Sequence, residues 1–127
     1  ILGNFVGCFI MGLFFPIPAA TPLCNAKLAL DVVPVLAKGF ACGLLMFIAV
    51  DTYREKKSFL GTFVCVPAFI MAGFEHSIAD MFYMSSAGIF TLESLTFICI
   101  AILGNFVGCT LLPLYRRYAK NAKPDSA

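Results

Sequence analysis

The sequence predicts an all-α membrane protein, a bundle of spanning helices arranged as an inverted repeat, with one span broken near Glu75–Asp80. Three observations lead there. The 127-residue chain is 61% hydrophobic and only 13% charged, whereas a soluble domain is about half apolar and a quarter charged. Residues 1–26 and 94–115 hold no charged side chain, and a spanning helix needs about twenty apolar residues. The octamer ILGNFVGC occurs at 1–8 and again at 102–109. About four spans are expected, in one transmembrane domain covering 1–127.

The first span covers roughly 1–15 and closes at the proline-rich FPIPAATP. Ile1 lies inside an apolar run without a basic n-region or a small-residue cleavage site, so the start reads as mid-helix and not as a signal peptide. A polar connector with Asn25, Lys27 and Asp31 follows. The second span, about 32–50, carries Lys38, which is expected to snorkel or pair. DTYREKKS, 51–58, reads as a loop, and 116–127 as a polar tail. Seven of the nine basic residues fall in those two places. Two spans separate them, so both lie on one side, which the positive-inside rule makes cytoplasmic. The expected location is therefore a cell membrane, crossed several times, with Lys27 at the outer face. The basic residues sit where topology puts them, and the net charge of +2 implies no nucleic-acid partner.

The third span is unusual. Its apolar pieces, 58–74 and 81–92, are separated by Glu75, His76 and Asp80. Charges at bilayer depth are costly and usually face a cavity or pathway. Broken spans are tolerated where the irregular part is buried in protein or lines water. The plainer reading is a continuous helix with one polar turn facing inward. A metal or catalytic centre is not expected: Glu75 and His76, if helical, point about 100° apart, and no nucleophile or second ligand stands near. The six cysteines are scattered without CxxC spacing and read as small buried apolar residues. No cofactor is implied.

The repeated octamer falls in the first and fourth spans. With that spacing the copies cross the bilayer in opposite directions, giving an inverted repeat of three spans per half, common in transporters. Two spans of the first half would then precede Ile1. Gly3 and Gly7, Gly39 and Gly43, and Gly104 and Gly108 have the small-xxx-small spacing of close helix pairs. Asn4 and Asn105 are the polar members of the octamers. Bonding to a backbone group or a neighbouring helix is the simpler role for them, and contact with a solute the more specific one.

GFEHSIADMFY, residues 73–83, resembles the signature GFEHSxAN(M)F of the formate/nitrite transporter family. KGFACGLLMFIAV resembles that family's fourth helix, and LGNFVG its GNxxG motifs in the third and sixth. The resemblance runs from the third helix to the tail. It implies an aquaporin-like fold of six helices, a pore through each protomer of a homopentamer, and transport of small monovalent anions such as formate or nitrite, often with a proton. Carried over by position, His76 matches the central pore histidine, Lys27 the lysine of the outer vestibule, Phe69 an aromatic constriction and Glu75 the glutamate beside the histidine. Gly43 stands where asparagine is usual, and Asp80 likewise replaces an asparagine.

A small anion loses much hydration energy in an apolar constriction, whereas its conjugate acid crosses cheaply. Histidine is the side chain whose charge changes most readily near neutral pH. His76 would hand a proton to the anion or bind it as imidazolium, Lys27 would draw anions inward, and Phe69 would supply the dry wall. Two alternatives stand beside this reading: a small four-helix proton-coupled exporter, and an inert structural fragment. The exporter needs a membrane-embedded acid in its first span, where residues 1–26 have none.

Overall fold

The computed structural model describes residues 1–121, so the last six residues of the expected tail lie outside the described residues. Six helices form within that range: α1 (Leu2–Phe14), α2 (Ala20–Leu28), α3 (Val32–Lys56), α4 (Leu60–Met71), α5 (Ser77–Ser86) and α6 (Leu92–Asn121). α3 has 25 residues and α6 has 30. At 1.5 Å per residue they reach about 37 and 45 Å, more than the roughly 30 Å hydrocarbon layer. Both are apolar enough to cross a membrane. α4 and α5 have 12 and 10 residues, each about half a crossing.

Two expectations are corrected here. The segment 51–58 is not a loop: α3 continues through Lys56, because DTYREK contains no helix breaker, and stops where Lys57 turns left-handed at φ 52°. The polar connector after the first span contains α2. Pro22 falls in the first turn of that helix, where a missing N–H is tolerated.

The break in the third span is real, and a single continuous helix is excluded. Gly73 ends α4 at φ 64°, with its N–H donating to Ile70 O and that of Phe74 to Phe69 O. This left-handed stop is cheap for glycine and satisfies the last carbonyls. Glu75 and His76 lie in the break, whereas Asp80 already sits in the first turn of α5.

Bond registers give the helix directions. Gly39 meets Ala101 and Gly104, and further along Asp51 meets Arg116 at 2.5 Å, so α3 and α6 run parallel. Cys8 reaches Ile78 O, Ser85 reaches Phe9 O and Ser86 reaches Phe15 O, so α1 and α5 also run parallel. α5 and α6 are antiparallel, with Ser77 opposite Asn105 and Ile89 opposite Ser94. The α3–α6 seam is close. A Cβ on Gly104 would stand 2.7 Å from Leu36 O, and one on Gly43 would overlap the Asn105 carbonyl. Such approach is what small residues allow between helices in lipid, where no hydrophobic drive brings them together. A core of Cys24, Val35, Met81, Met84, Phe97, Ile98 and Ala101 fills the space between α2, α3, α5 and α6. Large apolar side chains such as Phe63, Met71, Leu92 and Leu114 remain on the outside.

Candidate functional site

The site is built on the break between α4 and α5. His76 has extended backbone, φ −106° and ψ 106°, and occupies the N-cap of α5. Its Nδ1 accepts a hydrogen bond from the Ala79 N–H at 3.3 Å. That assignment leaves the ring proton on Nε2 and the imidazole neutral in this geometry. The ring stacks on Phe69, with centroids 5.4 Å apart and planes 14° from parallel. Phe69 belongs to α4, so the two half-helices hold the pair from either side of the break.

His76 lines two cavities. One, of about 480 Å³, is walled by Gly7, Cys8, Phe69, Phe82 and Tyr83 among others. The second, of about 280 Å³, is walled by Asn4, Cys42, Gly43 and Asn105 among others. Cys8 belongs to the repeated octamer and Phe82 and Tyr83 to the stretch GFEHSIADMFY, but nothing in the sequence brings Cys8 beside His76. A third cavity, about 210 Å³, lies apart between α1, α5 and α6 and holds no ionisable side chain.

Asn105 pins the break. Its Nδ2 donates to Gly39 O at 2.9 Å and to Glu75 O at 2.7 Å, and its Oδ1 accepts from Ser77 N at 3.0 Å. One side chain thus ties α3, the break, and the first turn of α5 to α6. Both amide donors are engaged by backbone, although the residue also borders the smaller cavity. Gly43 stands opposite on α3, and the contact with the Asn105 backbone leaves no room there for the asparagine of the family pattern.

Glu75 reaches into a charged cluster. Glu75 and Asp80 are each 1% exposed. Lys27, from α2, donates to Glu75 Oε2 and lies 2.9 Å from Asp80 Oδ1. Lys38, from α3, stands 3.8 Å from Glu75 Oε1. The structure therefore shows Lys27 bound to two buried carboxylates, whereas the sequence reading placed it in the outer vestibule, drawing anions inward. Ion pairing is what makes these buried charges tolerable. The sequence carries no hint of the Lys27–Asp80 register, since the two residues lie on separate helices.

An interrupted helix around a polar cluster, between two apolar helices of spanning length, is the architecture of an α-helical membrane protein. Residues 1–118 match the family model described as formate/nitrite transporter. Among solved structures, the chain is similar to one titled an FNT family ion channel, with a TM-score of 0.82 and 25% identity over 97% of this chain. The chain spans 57% of that channel's length. No curated protein matches. This chain belongs to the formate/nitrite transporter family, which displaces the four-helix exporter alternative.

Proposed function

We propose that the protein carries small monovalent anions of the formate or nitrite class across a bilayer, through a pore whose narrow point is His76 against Phe69. One observation carries this reading: a neutral imidazole held by a helix break and an aromatic wall, open to two cavities. An anion entering from one cavity accepts a hydrogen bond from Nε2–H. There it takes a proton that has come from solvent on the acidic side, and it passes the apolar wall as the neutral acid. It releases the proton beyond the wall. Charge is expensive only in the narrow part, so a proton gained before it and lost after it lowers the barrier. Lys27 contributes through the buried cluster behind the pore wall, and Glu75 couples that cluster to its neighbour His76.

The helix directions favour the inverted-repeat reading. α1 follows α5, and α5 runs against α6, so the two octamer copies are carried by helices of opposite sense. An aquaporin-like six-helix protomer, a homopentamer, and cytoplasmic placement of the end of α3 and the tail belong to the same proposal. In liposomes holding the protein at its full natural length, formate uptake is expected to quicken as the outside is acidified. His76→Phe is expected to abolish that acceleration. His76→Asn keeps a side chain able to cap α5 and should fold normally while losing the same response. Uptake by either variant with unchanged pH dependence refutes the proton-linked role.

A further inference from the structure

Asp80 has a feature that the pore reading does not use. Its side chain is 1% exposed, and among the described residues its Oδ2 is a buried oxygen with no hydrogen-bond partner. Its Oδ1 is held by Lys27 at 2.9 Å, and the same ammonium holds Glu75. Glu75 and Asp80 thus meet at one ammonium, Glu75 through Oε2 and Asp80 through Oδ1. Around Asp80, α2 brings Lys27 and the buried Cys24 thiol, α3 brings Lys38 and the buried Cys42 thiol, and the break brings Glu75 and the neutral ring of His76. α6 brings the neutral Asn105, and α1 has no charged side chain.

The charge count is unbalanced close in. Two fully buried carboxyl groups share one ammonium. Lys38 is partly exposed and sits beyond hydrogen-bond length from Glu75 Oε1, and no ion pair joins it to Asp80. One ammonium offsets only one of the two buried charges, and the oxygen left without a donor is Asp80 Oδ2. A proton on Oδ2 resolves the orphaned atom as well. It turns a buried, ionised oxygen without a donor into a neutral hydroxyl and removes one buried charge.

We propose that Asp80 is a proton-binding site of this protein, carrying its proton on Oδ2 in the conducting state, and that losing this proton closes the pore to anions at alkaline pH. In the step, the Oδ2–H bond breaks and the proton passes to solvent, leaving its electron pair on a carboxylate held by Lys27. The cluster, whose other acid Glu75 is next in chain to His76, then gains one negative charge, which repels an arriving anion. The closing role rests on the anion-transport reading, whereas the bound proton does not.

Infrared spectroscopy of the full-length protein in lipid separates the two. At neutral pH the wild type is expected to show the carbonyl stretch of a protonated carboxylic acid. That band should move when aspartate is heavy-carbon-labelled at its side-chain carboxyl, vanish at alkaline pH, and be lost in Asp80→Asn. Absence of the band from the wild type, or a band indifferent to the aspartate label, overturns the proton site without reference to transport. In the liposome assay, Asp80→Asn should keep carrying formate at alkaline pH values where wild-type flux has fallen. Superimposable pH profiles overturn the closing role. A wild type that carries no formate removes the transport reading and leaves the infrared result to stand by itself.

Discussion

Lys27 holds two acids that are otherwise cut off from water, so its removal is more than the loss of one contact. Lys27→Ala leaves Glu75 and Asp80 buried and facing each other, with only the more distant Lys38 to offset them. Breaking a buried ion pair by deleting one partner costs about 3–5 kcal/mol. Unfolding of the variant in detergent should show a loss of that order. Wild-type stability at neutral pH would mean that the cluster is hydrated. Much of this neighbourhood was legible from the chain alone. Glu75, His76 and Asp80 announce themselves by interrupting an apolar run, and a charge there needs a reason. The partner of Asp80 was not legible, because pairing between separate helices depends on how α2 lies over α5, and no local pattern encodes that.

Gly73 shows how a break can be found for an incomplete reason. The charged residues mark the interruption, but α4 stops earlier, at a left-handed glycine whose N–H and that of Phe74 close the helix end. The same closure recurs at Gly88 after α5, with Ile89 N bonded to Met84 O. An alanine at Gly73 must hold a conformation that costs an L-residue about 1–2 kcal/mol. Gly73→Ala should lower unfolding stability by that amount and leave helix content unchanged by circular dichroism. A neutral substitution would mean that the break tolerates another backbone path. The lengths of α3 and α2 were misjudged for a related reason. Charge in DTYREKKS suggested a loop, yet charged residues are good helix formers at the rim of an apolar span. Asn25, Lys27 and Asp31 suggest a polar connector, yet Asn25 and Lys27 lie within α2, and Pro22 sits in its first turn.

Direction is the property that binds the helices into one design. α3 and α6 run side by side and end together, where Arg116 meets Asp51 and lies 3.5 Å from Glu55. These pairs are exposed and add little to stability. Their value is topological, since they place the basic end of α3 beside that of α6. A membrane-impermeant label directed at a cysteine introduced at Lys57 and one introduced at Arg117 should react from the same face of sealed vesicles, with the six native cysteines replaced. Labelling from opposite faces would overturn the arrangement. The sequence foretold this common side from charge alone, through seven basic residues gathered in two places. It did not foretell how closely the two helices approach, because glycine spacing marks a permissible contact without naming the partner.

Asn105 fastens α3, the helix break and α5 at a single point through three backbone bonds. Swinging the half-helices apart would strip all three together in a place where little could replace them, each orphaned group costing about 1–3 kcal/mol. Under the proposed transport reading, such a rivet argues against rocking one half of the molecule against the other: the solute would shed charge and water coat at a stationary opening while the scaffold keeps its shape.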